Sequence, residues 1–263
     1  MDLGLKDRVA LVAASSQGLG KAVAFGLARE GARLALCSRN AAAVEATAES
    51  IREETGAEVF AAATDVTREE EVRRLVKQTI ERFGRIDICV TNAGGPPAKP
   101  FDATTVEDWR RAIDFNLMST LFFAREVLPG MRDQRWGRLI TITSLTVKQP
   151  VDNLILSNSV RAAVAGLVKS LSNEYAPFNV LVNNVCPGYT ATDRLVELSS
   201  TLAKSSGVAP EEIEKRWTSQ IPLRRLARPE EFADAVVYLS SERASYITGQ
   251  SIAIDGGFAK GLL

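Results

Sequence analysis

The chain has 263 residues, of which 46% are apolar, and it carries 32 basic and 32 acidic side chains. This balance provides no general attraction to nucleic acid or an anionic membrane, and the absence of histidine excludes histidine-ligated metal sites and histidine acid–base catalysis, so no metal is expected. Because no apolar run has the length of a signal peptide or a membrane span, we expect a cytoplasmic protein.

Short apolar runs alternate with longer segments of helical periodicity. The helical segments are closed by glycine or opened by small and polar residues, which sets their approximate bounds. In chain order, the pattern predicts strand Arg8–Ala13, helix Gly18–Glu30, strand Arg33–Cys37, helix Ala41–Thr55, strand Glu58–Ala62, helix Arg68–Phe83, strand Ile86–Thr91, helix Val106–Arg132, strand Arg138–Thr143, helix Asn153–Tyr175, strand Val180–Val185, helix Glu230–Ser240 and strand Ile252–Ile254.

Strands that alternate with helices indicate parallel βαβ units with right-handed crossovers. Because several strands are almost entirely apolar, helices should cover both faces of the sheet. We therefore predict an α/β fold, a Rossmann-type doubly wound parallel sheet, in a single domain over residues 1–263. The cysteines Cys37, Cys89 and Cys186 lie in or beside these strands and are interpreted as buried free thiols.

One segment, Thr190–Pro222, does not follow the alternation. It is polar and rich in Ser and Thr, and it interrupts the last strand–helix unit. Long irregular insertions of this kind are often functional loops. We interpret it as a partly helical lid or a substrate loop.

The segment Ala13–Gly20 follows the first predicted strand and opens the first predicted helix. Small residues let the backbone approach a pyrophosphate, and the free N–H groups of a helix N-terminus stabilise its charge. This predicts a dinucleotide site, with an ordinary tight turn as the alternative. The candidate cofactor-binding residues are Ala14, Ser15, Ser16, Gly18, Leu19 and Gly20.

A second pattern follows the fifth predicted strand, where Ser157 lies thirteen residues after Ser144 and Arg161 lies four residues after Ser157. This register resembles the catalytic Ser, Tyr and Lys of the short-chain dehydrogenase/reductase family. Ser157 stands in the position of the Tyr, and Arg161 stands in the position of the Lys. The turn after the first strand is similar to the family's T-G-x-x-x-G-x-G motif, with Ala14 in place of its first glycine.

The resemblance extends over about residues 6–258 through motifs in the family's order. It implies that Asp65, with Val66 beside it, contacts the adenine, that Asn116 holds a proton-relay water, and that Ser144 hydrogen-bonds the substrate oxygen. It also implies a cofactor surface at the ends of the fourth and sixth strands, formed by Asn92, Ala93, Gly94, Pro187, Gly188, Thr190 and Thr192.

The side chains at the end of the second predicted strand determine whether NADP(H) or NAD(H) is preferred. A carboxylate there would accept a hydrogen bond from the ribose 2′-hydroxyl and repel a 2′-phosphate. The chain has neutral Ser38 and then Arg39, whose guanidinium can bind a phosphate through two hydrogen bonds. We predict NADP(H), with a solvated surface arginine as the alternative reading of Arg39.

The proton donor of the family is missing. The hydroxyl of Ser157 is far less acidic than a phenol, and Arg161 can contact the ribose and supply positive charge but is a poor acid. Tyr175 lies roughly 27 Å from Ser157 along the same predicted helix, and this distance excludes it as the proton donor. Tyr189 is the best phenol candidate, and Lys148 can also reach inward; a rim aromatic and a solvated lysine are the alternatives.

We therefore expect an NADP(H)-dependent oxidoreductase similar to 3-oxoacyl-acyl-carrier-protein reductases, with Asn116, Ser144, Ser157 and Arg161 at the catalytic site. Its substrate should be a small-molecule carbonyl or alcohol. The alternatives are a catalytically silent nicotinamide-nucleotide-binding protein, acting as a sensor or partner subunit, and a lyase- or isomerase-like use of the scaffold. The resemblance also implies a homotetramer or homodimer built partly through the helix Asn153–Tyr175.

Overall fold

The computed structural model describes residues 1–262 of the chain. Within them, parallel strands form one sheet: β1 (Val9–Ala13), β2 (Arg33–Ser38), β3 (Val59–Ala63), β4 (Ile88–Thr91), β5 (Gly137–Ile142), β6 (Val180–Pro187) and β7 (Ser251–Ile254). The strand order is β3-β2-β1-β4-β5-β6-β7. Parallel neighbours require crossover connections, which helices supply.

The helices follow the predicted alternation with the strands, except for two that lie in the segment Thr190–Pro222. The helices are α1 (Gly18–Arg29), α2 (Ala41–Thr55), α3 (Glu69–Phe83), α4 (Val106–Ile113), α5 (Ser119–Asp133), α6 (Ile155–Tyr175), α7 (Asp193–Ser206), α8 (Pro210–Gln220) and α9 (Pro229–Ser240). Among residues 1–262, no helix combines the length and the apolar character needed to cross a membrane.

The strand order confirms the predicted doubly wound fold. The sheet grows from β1 through β2 to β3 on one side, and from β4 through β7 on the other. Chain connections therefore leave in opposite directions above β1 and β4, which opens a crevice at their carboxyl ends. In α/β sheets, ligands bind at this topological switch point.

Alternate residues of β1 belong to two different cores, one on each face of the sheet. Ala10 and Val12 pack with side chains of α1, α2 and α9, whereas Leu11 and Ala13 pack with side chains of α3, α5 and α6. Full burial of a large aliphatic side chain contributes about 1.5–3 kcal/mol, so two such layers hold the strands firmly. The strand ends that carry the functional residues are thereby fixed in position.

The predicted helix Val106–Arg132 is interrupted in the structure. A π-helical turn, Asp114–Met118, separates α4 from α5 without breaking the helical path. A π turn shifts the hydrogen-bond pattern by one residue and leaves no signature in apolar periodicity, which is why the sequence predicted a single helix. Such turns are frequent at functional sites, and Asn116 lies in this one.

The predicted partly helical segment Thr190–Pro222 contains two helices, α7 and α8, that pack against each other. Leu195 and Ala203 of α7 and Ile213 and Trp217 of α8 form a small core separate from those of the sheet. The segment therefore has internal packing of its own beside the crevice. We refer to it as the α7–α8 segment.

The turn between β1 and α1 has unusual backbone geometry. Ala14 has a φ angle of 50° and Gly18 a φ angle of 56°, both in the left-handed region. At Gly20, a β-carbon would lie only 2.3 Å from the carbonyl oxygen of Ala14, so only glycine fits there. The left-handed conformation costs an alanine roughly 1–2 kcal/mol, so Ala14 holds the turn under strain.

We predict that Ala14→Gly stabilises the protein. Glycine relieves the left-handed strain but gains freedom in the unfolded chain, so the free energy of unfolding should rise by about 0.5–1 kcal/mol. Urea denaturation measures it. The matched control is Ala46→Gly on the exposed face of α2, which should lower the free energy of unfolding by about 1 kcal/mol. A loss of stability in both variants would contradict the left-handed backbone conformation of Ala14.

Candidate active site

A pocket of about 300 Å³ opens at the carboxyl ends of the central strands, and we call it the central pocket. Its wall combines the β1–α1 turn, the loops after β4, β5 and β6, and the first turns of α6 and α7. Several segments that are distant in sequence therefore meet at the switch point of the sheet. This is the position at which the fold predicts a ligand.

One end of the central pocket is the β1–α1 turn. Ala14, Gly18 and Leu19 line it, together with Gln17. No side chain caps the N-terminus of α1, so the first N–H groups of this helix are available to an anion. The strained turn and the uncapped helix fit the pyrophosphate of a dinucleotide.

The other predicted residues of this turn shape it from behind. The Ser15 hydroxyl donates to the carbonyl oxygen of Cys37 at 3.3 Å and accepts from the Cys37 N–H at 3.1 Å. The carbonyl oxygen of Ser16 accepts from the Thr47 hydroxyl at 3.1 Å. Gly20 packs directly on the Ala14 carbonyl. These three residues do not line the central pocket; they fix the path of the backbone that does.

A second group of predicted cofactor residues lies at the ends of β2 and β3, outside the central pocket. Ser38 is buried, and its hydroxyl donates to the carbonyl oxygen of Asn40 at 2.9 Å. Arg39 is exposed, and its guanidinium lies 5.4 Å from the ring centre of Phe115. Arg39 thus leaves its hydrogen-bond donors free toward solvent. Val66 is buried beside this edge.

The carboxylate of Asp65 is already engaged by its own chain. It accepts hydrogen bonds from the Thr67 N–H at 3.0 Å and from the Thr67 hydroxyl at 2.7 Å. Burial alone would raise the pKa of Asp65, but these hydrogen bonds and the positive charges of Arg39 and Arg68 lower it. Asp65 therefore stays ionised at neutral pH and is held in a fixed orientation.

The loops after β4 and β6 form the two long walls of the central pocket. The lining residues among those predicted are Asn92, Ala93, Gly94, Pro187, Gly188, Thr190 and Thr192. Gly188 also has a packing role, since a β-carbon there would lie 2.6 Å from the Cα of Asp255. The sequence motifs at both strand ends thus meet around one cavity.

Thr146 links Ser144 and Ser157 in the central pocket, through its backbone on one side and its hydroxyl on the other. The Thr146 N–H donates to the Ser144 hydroxyl oxygen at 3.2 Å, and the hydroxyls of Thr146 and Ser157 lie 3.2 Å apart. All three residues line the pocket. Ser157 therefore contacts Thr146 at the position where the family has its Tyr, and the short side chain leaves the space in front of it open.

Arg161 is the most deeply buried cation of the central pocket, with 6% of the residue exposed. Its Nη1 donates to the carbonyl oxygens of Ile142, at 3.5 Å, and Thr143. Burial lowers the pKa of Arg161 to about 10, so it stays protonated at neutral pH. The side chain is thus a fixed positive charge, anchored to the end of β5 and not to another side chain.

Asn116 lies behind the wall of the central pocket. It lines a smaller adjacent cavity with Asn92, Ala93 and Thr143, which border the central pocket on their other side. Its side-chain amide donates to the carbonyl oxygen of Ala112 at 3.0 Å, across the π turn. The structure therefore separates Asn116 from the pocket that contains Ser144, Ser157 and Arg161.

Of the predicted donor candidates, only Tyr189 lines the central pocket; Lys148 does not, and Tyr175 packs on Phe178 at the far end of α6. Tyr189 stacks on Trp217 with ring centres 4.9 Å apart. Within residues 1–262 its hydroxyl forms no hydrogen bond, and burial raises its pKa to about 12. Its phenol is therefore protonated and free to contact a ligand.

Residues that sequence reasoning did not single out also line the central pocket: Gln17, Thr146, Asp193 and Arg194. For Thr146 the only sequence signal was the ability of Ser144 to accept a hydrogen bond from the backbone N–H two residues later, which predicts a turn and not the role of the Thr146 hydroxyl. No sequence signal pointed to Arg194, because its position over the pocket depends on how the α7–α8 segment packs.

Comparisons with known proteins agree with this geometry. A family profile described as Enoyl-(Acyl carrier protein) reductase matches residues 13–259. The chain is 34% identical over 257 residues to the 3-oxoacyl-acyl-carrier-protein reductase FabG of Aquifex aeolicus, covering 98% of this chain and 99% of that protein. It is 32% identical over 256 residues to the 7alpha-hydroxysteroid dehydrogenase of Escherichia coli K12, covering 97% of this chain and 96% of that enzyme.

A solved structure extends the likeness to the whole fold. The L-sorbose reductase of Gluconobacter frateurii, determined in complex with NADPH and L-sorbose, superposes with a TM-score of 0.94 at 33% sequence identity, and each chain covers 100% of the other. Because the profile and the relatives span nearly the full length, the chain belongs to the short-chain dehydrogenase/reductase family of oxidoreductases.

Proposed function

We propose that the protein is an NADP(H)-dependent reductase of a small-molecule carbonyl compound. The observation that carries the proposal is the continuity of the central pocket, which joins the uncapped N-terminus of α1 to Ser144 and Arg161. A dinucleotide with its pyrophosphate at the N-terminus of α1 would bring its nicotinamide ring toward Ser144 and Arg161. The relatives include a 3-oxoacyl-acyl-carrier-protein reductase and a hydroxysteroid dehydrogenase, which is consistent with carbonyl or alcohol substrates.

The cofactor would be held by residues of two regions. Gly18 and Leu19 offer backbone N–H groups to the pyrophosphate, and Arg39 offers its guanidinium to a 2′-phosphate. When bound, NADPH supplies the hydride. The preference over NADH is supported by the neutral side chain of Ser38 and by the NADPH complex of L-sorbose reductase.

At the carbonyl end, the roles divide among three side chains. The Ser144 hydroxyl hydrogen-bonds the carbonyl oxygen, and Arg161 stabilises the negative charge that develops on it. Tyr189 gives the proton. A phenol with a pKa of about 12 remains a stronger acid than an alcohol, so transfer to an alkoxide is downhill. Because the pKa is so high, almost no phenolate is present near neutral pH to accept a proton from an alcohol, which favours reduction over alcohol oxidation.

Arg39→Ala tests the cofactor preference. Loss of a charge-assisted phosphate contact should raise the Kd for NADPH by about 10- to 100-fold and leave the Kd for NADH unchanged. Fluorescence titration measures both values. The matched control is Arg74→Ala, an exposed arginine of α3 with one 3.9 Å ion pair, which should change neither. Equal affinity for NADPH in the two variants would remove Arg39 from the phosphate site.

Tyr189→Phe tests the proton donor. Removal of one hydroxyl should lower kcat for ketone reduction by about 100-fold or more, with unchanged NADPH affinity, because general acid catalysis is lost. Stopped-flow NADPH oxidation measures the chemical step. The control Tyr175→Phe, which removes a hydroxyl outside the pocket, should leave kcat unaltered. Equal kcat in both variants would refute the role of Tyr189.

The double change Ser157→Tyr and Arg161→Lys restores the family's catalytic pair. In the Tyr189→Phe background it should recover reduction, because a phenol then occupies the vacant position four residues before the lysine. NADPH oxidation over a ketone panel is the readout. If the original chain binds NADPH but reduces no ketone, and only the double variant turns over, the silent nucleotide-binding alternative is correct.

A further inference from the structure

Two guanidinium groups converge on one point of the central pocket. The point where a β-carbon of residue 95 would lie is 3.5 Å from Nη2 of Arg194 and 3.9 Å from Nη2 of Arg161. Arg161 comes from α6 and Arg194 from the first turn of α7. Because residue 95 is glycine, the space between the two cations stays open.

Arg161 has no counter-charge. Within residues 1–262 no carboxylate lies within ion-pair distance of it, and its buried Nε has no hydrogen-bond partner. Only Nη1 is engaged, by the carbonyl oxygens of Ile142 and Thr143. A buried cation without an anion is costly, since water is replaced by neutral dipoles alone. Such a group is characteristic of a site that is completed by a ligand.

Arg194 is only partly satisfied. It donates to the carbonyl oxygens of Gly95 at 3.5 Å and Pro96 at 3.2 Å, and lies 3.5 Å from the exposed carboxylate of Glu197. These long contacts hold it across the pocket mouth without neutralising Arg161.

The other charged side chains near the central pocket do not neutralise the positive charges of Arg161 and Arg194. Asp193 lines the pocket but is exposed and forms no ion pair in the described part of the chain. Lys148 lies outside the pocket lining and adds positive charge from the β5 side. The space beside Gly95 is thus bordered by two cations, and an anion there would relieve their mutual repulsion.

We propose that this space binds a carboxylate carried by the substrate itself, so that the protein reduces oxo acids. The proposal rests on the proposed function and specifies its substrate class. A carboxylate offers two oxygens in one plane, which matches the paired donors of a guanidinium. The pyrophosphate of the cofactor is expected at the other end of the pocket, by the N-terminus of α1. The short side chain of Ser157 leaves room for the acid group.

Calorimetric titration with malonate tests the site without turnover, using protein saturated with NADP⁺. Malonate should bind, and Arg194→Gln should weaken binding by about tenfold or more. The control is Lys204→Gln, which removes one exposed positive charge from the last turn of the same helix and should leave the Kd unchanged. No malonate binding, or equal loss in both variants, would overturn the proposal.

Competition identifies the source of the anion. If NADP⁺ displaces malonate, the two arginines bind the cofactor phosphates and the substrate assignment is wrong. If malonate binds while NADP⁺ does not, the anion site stands and the proposed function fails.

A kinetic comparison adds an independent readout. KM for an oxo acid should rise about tenfold or more in Arg194→Gln, while KM for its methyl ester stays the same. An equal change for acid and ester would overturn the carboxylate assignment.

Discussion

The rest of the site depends on one interaction, the binding of the buried Arg161 guanidinium to backbone carbonyls at the end of β5. Ile142 is the last residue of β5 and Thr143 follows it, so the guanidinium is anchored to a strand held between two apolar cores. A lysine in this position would serve a neighbouring tyrosine. With Ser157 as the neighbour, the cation has no acid to assist and acts directly on whatever occupies the pocket.

This constraint divides the chemistry between two parts of the fold. Ser144 and Arg161 are attached to β5 and α6, which the cores of the sheet hold rigid. Tyr189 and Arg194 are placed by the α7–α8 segment, through the stacking of Tyr189 on Trp217 and the contacts of Arg194 with the Gly95 and Pro96 carbonyls. Charge stabilisation is therefore built into the core, whereas proton delivery and acid recognition depend on how this segment packs.

The parts of the molecule that follow from local pattern were predictable. Alternating apolar runs and helical periodicity identified the sheet, and the motifs that contain Gly18, at the start of α1, and Asn92, after β4, marked the crevice. Contacts between distant segments were not. The π turn around Asn116 leaves no periodic signal, and the meeting of Arg161 with Arg194 at Gly95 depends on packing between residues 95 and 194. Gly95 contributes by leaving the space between the two guanidiniums open.

A crystal structure with NADP⁺ and an oxo acid tests the central claim most directly. We expect the carboxylate between the guanidiniums of Arg161 and Arg194, the oxo group within hydrogen-bond distance of Ser144 Oγ and Tyr189 Oη, and Arg161 still bound to the carbonyls at the end of β5. A nicotinamide ribose bound to Arg161, with Tyr189 turned away from the oxo group, would contradict this arrangement and return Arg161 to the role of the family's lysine.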